Sequence, residues 1–123
     1  MSLLQTILEE KCNVLLAEKE ILFAGIISKT GKLVSGGAKP GIKLVEESEK
    51  EMLFMQHVLM STMNGDFDDG LGRALYTVTK REKLTMVYFT IGASLFMIAI
   101  DPTADIRRTM SKIQRIIKKE PLI

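Results

Sequence analysis

The fold is decided by the stretch Phe23-Ala24-Gly25-Ile26-Ile27-Ser28-Lys29-Thr30-Gly31-Lys32-Leu33-Val34. The apolar run 21–27 is short and rich in β-branched and aromatic residues, which favours a buried strand over a helix. The polar residues 28–31 end in a glycine that can adopt the positive φ of a tight turn, and residues 32–35 return as a second strand. The stretch therefore predicts a β-hairpin.

Three helices are predicted around this hairpin from apolar residues that recur at helical spacing. The first spans about 2–14. The second spans about 42–63 and has acidic residues near its start, which suit the positive end of a helix dipole. The last spans about 102–119, where Asp101 is expected to cap the helix and Pro102 to occupy its first turn.

Three more strands are predicted after the second helix, over about 72–79, 84–91 and 94–100, because these runs are rich in β-branched, aromatic and other apolar residues. The glycine-rich segment 36–41 and the polar segment 64–70 are expected to be connecting loops. The predicted order is α-β-β-α-β-β-β-α, an α/β (α+β) domain.

The bulk composition places limits on the class of protein. A length of 123 residues with 46% hydrophobic residues predicts a single domain over 1–123 with one core. The net charge of +2 argues against nucleic acid or an anionic membrane as the default partner. One cysteine, Cys12, cannot form an internal disulfide, and no apolar run reaches the ~18 residues of a membrane span. We expect a cytoplasmic protein.

No convincing catalytic or cofactor site is predicted, so we expect a protein that is not an enzyme and holds no cofactor or metal. The single histidine, His57, has mostly apolar neighbours on its helix and is expected to be structural. Cys12 lies on an apolar helix face and is expected to be inert. Segment 36–41 lacks a phosphate-binding pattern, and the acidic residues within 66–69 lack the spacing of a calcium loop.

The last helix has a basic side that could contact nucleic acid. A solvated helix face is the more economical interpretation, since the net charge is small and no aromatic residues are interleaved for base stacking. The residues of this possible basic surface are Arg107, Arg108, Lys112 and Arg115.

The second helix carries more apolar residues than one sheet can cover. Its apolar residues include four methionines, Met52, Met55, Met60 and Met63, of which a part is expected to be core filler. Methionine serves both as core filler and at adaptable binding surfaces, so the surplus predicts an interface.

The element order, the glycine-turn hairpin of 21–35, the meander of 72–100 and the closing helix after Asp101-Pro102 together resemble the roadblock / dynein light chain family. The resemblance spans nearly the whole chain. Longin and profilin-like domains share parts of the pattern. The resemblance implies a five-stranded antiparallel sheet with helix 2 on one face and the first and last helices on the other.

The resemblance also implies a function. Members of this family are non-enzymatic homodimers whose second helices and third strands pair, leaving a helical surface for a small GTPase or a scaffold protein. The resemblance also implies which residues lie at or near the dimer contact: Met52, Met55, Leu59, Met63, Leu75, Tyr76, Thr77 and Val78. Two alternatives stay open: a ligand-sensing PAS or profilin-like domain with a small-molecule cavity walled by strand 94–100, and nucleic-acid binding through the last helix.

Overall fold

The computed structural model of the chain describes residues 3–118. Residues 2 and 119, at the ends of two predicted helices, lie outside this range. A 3-10 turn, Glu47–Glu49, precedes the second helix. In chain order the other elements are α1 (Leu3–Leu16), β1 (Ile21–Ile27), β2 (Leu33–Ala38), α2 (Lys50–Gly65), α3 (Asp68–Leu71), β3 (Thr77–Lys80), β4 (Thr85–Ile91), β5 (Ser94–Ile100) and α4 (Ile106–Lys118).

The five strands form one antiparallel sheet in the order β2-β1-β5-β4-β3. The hairpin β1–β2 and the meander β3–β4–β5 meet where β1 pairs with β5, with Ala24 opposite Ile98. Strands β2 and β3 are therefore the edges. The α+β class and the order of elements are confirmed, with the short helix α3 as an addition.

The sheet separates two apolar clusters. Helices α1 and α4 cover one face, where Cys12, Leu15 and Ile113 pack against Ile98 and other strand residues. Helix α2 covers the opposite face through Phe54, which joins a cluster of buried strand residues on that side: Phe23, Ile27, Met86, Tyr88, Leu95, Met97 and Ala99. The predicted placement of the helices on the two faces is confirmed.

Polar contacts also tie α4 to the α1 region. The Lys112 ammonium bonds to the carboxylates of Glu18 at 3.3 Å and Glu20 at 2.8 Å, and the Lys11 ammonium donates to the Ile117 carbonyl. The hydrogen bond from Lys112 lowers the pKa of Glu20. These contacts fix α4 beside α1 on the same face of the sheet.

Strand β2 is longer than the predicted 32–35, because Gly36 and Gly37 belong to it. They lie opposite Gly25 and Ala24 of β1. A Cβ built on Gly36 would lie 2.1 Å from the Ala24 carbonyl oxygen, so only glycine permits this close pairing. The expectation of a connecting loop over 36–41 was wrong for its first three residues.

The bounds of α2 and β3 also differ from the predicted ones. Residues 42–46 are not helical, so α2 starts at Lys50 and not near 42. The predicted loop 64–70 is wrong in part, because α2 continues to Gly65 and α3 follows. Strand β3 spans 77–80 and not the predicted 72–79, since the residues before Thr77 have no partner in the sheet.

The start of the last helix also lies later than predicted. Asp101 does not cap α4: its Oδ1 accepts hydrogen bonds from the amide and the hydroxyl of Thr103, closing a turn. Asp105 takes that role, since its Oδ1 accepts from the Arg108 amide at 3.2 Å. Of the two aspartates that could cap the helix, Asp105 does so, and α4 therefore begins at Ile106.

Candidate interaction surface

One side of α2 is apolar and faces away from the sheet. Met52 is 74% exposed, Leu59 56% and Met63 65%, and Met55 lies half-buried between them. Successive spacings of three, four and four residues place these four side chains in one row along the helix. We call this row the apolar stripe. It confirms that α2 carries more apolar surface than the sheet covers.

The edge of the sheet at β3 carries the second part of this surface. Leu75 is 77% exposed and precedes the strand, as does Tyr76, whose ring lies 5.7 Å from that of Phe89. Within β3, Val78 is largely exposed and Thr77 half-buried. The strand pairs only with β4 among residues 3–118, so its other edge has free backbone donors and acceptors.

The opposite side of α2 anchors the helix. The Phe54 ring lies 6.0 Å from that of Phe23, and its side chain is only 2% exposed. His57 is also buried, with Nδ1 2.9 Å from the Leu53 carbonyl oxygen and its ring edge-on to Tyr88. Because Phe54 and His57 occupy the buried side of α2, the apolar stripe on the other side faces outward. The structural role predicted for His57 agrees with these contacts.

Sequence reasoning missed two members of the exposed apolar surface. Phe67 is 63% exposed and Leu71 83%, and both lie at or beside α3. With Met63 and Leu75 they recur every four residues. The four-residue spacing could have indicated a continuous apolar surface, but the aspartates and glycines of 64–70 favoured a polar loop.

The candidate catalytic and metal-binding residues are not brought together. Cys12 is fully buried, and burial together with the charge of Glu9 raises the pKa of its thiol to about 12. No group of three or more potential metal ligands occurs among the described residues. The aspartates of 66–69 are exposed.

The basic side of α4 is smaller than predicted. Arg107, Arg108 and Arg115 are exposed. Lys112, however, lies against Glu18 and Glu20, which neutralise its charge. The possible basic surface therefore keeps the free charge of its three arginines but not that of Lys112, because the α1–β1 connection folds onto that part of the helix.

Strand 94–100, the cavity wall in the ligand-sensing alternative, is part of the packed core. From Leu95 to Ile100 every side chain of β5 is buried, with alternate residues in the two core clusters. The strand is central in the sheet and covered by helices on both faces, which leaves it no side for an interior cavity.

Among residues 3–118, no helix is both long and apolar enough to span a membrane.

The arrangement of these elements is that of roadblock/LC7 domains. A roadblock/LC7 domain from Streptomyces avermitilis superposes with a TM-score of 0.66 at 10% identity, covering 90% of this chain and 92% of that one. The gliding protein MglB from Thermus thermophilus gives 0.69 at 14% identity over 89% and 85%. A structure of MglB with a tetrameric arrangement gives the same TM-score, identity and coverage. The resemblance inferred from the sequence is confirmed at the level of the fold.

The chain belongs to the family of unknown function DUF6659, whose model matches residues 4–121. No curated protein matches the chain significantly. The family model describes a family of unknown function, and the similar structures establish the fold alone.

Proposed function

We propose that this protein is a non-enzymatic homodimeric adaptor or small-GTPase regulator of roadblock type. The observations that carry the proposal are the exposed apolar stripe on α2 and the unpaired edge of β3. A partner that covers both would remove apolar area from water and complete the backbone hydrogen bonds of the edge.

A second copy of the chain fits this surface well. In a twofold-symmetric dimer each chain contributes the same patch, so one apolar stripe packs on the other and one β3 edge meets the other. The residues expected at this contact are Met52, Met55, Leu59, Met63, Leu75, Tyr76, Thr77 and Val78. The tetrameric arrangement of MglB, a protein of the same fold, supports self-association of the chain.

The dimer is tested by Leu59→Glu, which places a charge in the middle of the apolar stripe. We expect the natural protein to sediment as a dimer at micromolar concentration. The variant should dimerise at least tenfold more weakly, because a carboxylate without a partner is costly to bury (about 1.4 kcal/mol for each factor of ten). Analytical ultracentrifugation over a concentration series measures this change.

Val14→Glu is the matched control. Val14 is also an exposed apolar residue on a helix, but it belongs to α1, on the other face of the sheet. This variant should dimerise like the natural protein. A natural protein that is monomeric at these concentrations, or equal weakening by both substitutions, would remove the dimer from the proposal.

GTPase regulation is supported by the roadblock fold and by the absence of an assembled catalytic set among the described residues. The thiol of Cys12 is buried, and the imidazole of His57 is held by the Leu53 carbonyl and Tyr88. We therefore expect the protein to act on other molecules through its surface.

A binding experiment separates the regulator from the scaffold. The immobilised protein is presented with purified small GTPases of its own cell, each loaded with GDP or with a non-hydrolysable GTP analogue. We expect one of them to be retained in one nucleotide state and released in the other. Retention that is absent, or independent of the nucleotide, would favour a scaffold role.

A further inference from the structure

A groove lies between the start of α2 and the turn that joins β3 to β4. Its volume is about 430 Å³, within the range of small-molecule pockets. The walls are apolar and consist of Leu44, Val45, Leu53, Leu84 and Met86. This groove lies beside the sheet, and no residue of β5 lines it.

One wall of the groove is the irregular segment 42–46, which we call the strap. The amides of Lys43, Leu44 and Val45 form no backbone hydrogen bond with other residues of 3–118. Val45 also lines two neighbouring cavities, of about 500 and 190 Å³. A segment with open space on three sides and few backbone hydrogen bonds can adjust its position around a ligand at low cost.

The rim of the groove is formed by Arg81, Glu82 and Lys83, all exposed in the turn. Neither Arg81 nor Lys83 forms a side-chain ion pair within residues 3–118. By contrast, Lys43 within the strap is paired with Glu46, and Lys50 after the strap is paired with Glu47. Unpaired positive charge is thus concentrated at the mouth of an apolar groove.

We infer that this groove binds an amphipathic carboxylate, with its apolar chain beneath the strap and its carboxylate at Arg81 and Lys83. The formal charge of the turn 81–83 is +1, from two cations and one carboxylate, which suits a single negative charge better than a phosphate. A guanidinium binds a carboxylate through two parallel hydrogen bonds. A free fatty acid is the occupant that fits this groove, because an alkyl chain needs no hydrogen bonds from the apolar walls, whereas the backbone of a peptide would need them.

The inference is tested by titrating the isotope-labelled protein with octanoate and following its amide NMR signals. We expect saturable shifts in residues 44–53 and 81–86. Octanol, which has the same chain without the charge, should bind about fivefold more weakly, the effect of a partly exposed ion pair. The dipeptide acetyl-leucyl-leucine is titrated in parallel and should bind more weakly than octanoate; tighter binding of the dipeptide would overturn the assignment to a fatty acid.

The double variant Arg81→Gln, Lys83→Gln should reduce octanoate affinity by about fivefold or more. Lys29→Gln is the matched control, since Lys29 is an exposed cation of the other hairpin turn, and it should leave affinity unchanged. The inference is overturned if neither carboxylate produces saturable shifts at the groove, if octanol binds as tightly as octanoate, or if the double variant binds octanoate like the natural protein. Sedimentation of the same samples reports the dimer separately.

Discussion

Replacing Phe54 with alanine is expected to lower the free energy of unfolding by about 3–5 kcal/mol. Phe54 is 2% exposed and is, with His57, one of only two fully buried residues of α2. Its ring contacts Phe23 and fills the centre of the cluster between α2 and the sheet. Removing it leaves a cavity and takes away most of the apolar contact that holds the helix. Urea unfolding followed by circular dichroism measures the loss.

The control for this substitution is Gln56→Ala, two residues away on the exposed side of the same helix. It changes no buried contact and introduces a better helix former, so stability should change by no more than about 0.5 kcal/mol. A loss below about 1 kcal/mol for Phe54→Ala would mean that α2 is held by other contacts. The direction of the apolar stripe would then need another explanation.

The second large effect is expected for Gly36→Ala, which should destabilise the protein by about 2–5 kcal/mol, because two costs add. Gly36 has a φ of +82°, where an L-residue loses about 1–2 kcal/mol. The new Cβ would also lie 2.1 Å from the Ala24 carbonyl oxygen, a backbone atom that cannot move without disturbing the β1–β2 pairing, and such overpacking costs about 1–3 kcal/mol. Thermal and urea unfolding measure the effect.

Gly70→Ala provides the comparison at a glycine without either constraint. Gly70 lies in α3 with open space around its Cα and no positive φ. Alanine there should leave stability unchanged or raise it by up to about 1 kcal/mol, since glycine is a poor helix former. Equal losses at Gly36 and Gly70 would contradict the account of β2.

Local sequence patterns predicted those elements whose stability comes from their own residues. The β-branched run Ile21–Ile27 and the apolar run Ser94–Ile100 form strands with the predicted bounds, because a central strand buried on both faces needs a continuous apolar segment. The predictions failed where an element depends on a distant partner. Gly36 and Gly37 resemble a loop in isolation and become a strand through their pairing with β1.

The predicted interface could be located along the chain but not in space. Periodicity showed that α2 carries too many apolar residues, and the structure turns Met52, Leu59 and Met63 outward because Phe54 and His57 occupy the opposite side. The ion pairs of Lys112 could not be predicted, because its partners Glu18 and Glu20 lie 94 and 92 positions away in the sequence. The role of the interface residues at a dimer contact stays a prediction.

The sequence by itself determined the α+β class, the order of the elements and the excess of apolar residues on α2, because composition and periodicity are local properties of the chain. Only the tertiary structure decided which side of α2 stays exposed, which edge of the sheet lies free beside Leu75 and Val78, and that the strap leaves a groove next to Arg81 and Lys83. These features arise from contacts between residues that are distant in the sequence, and no local pattern contains them.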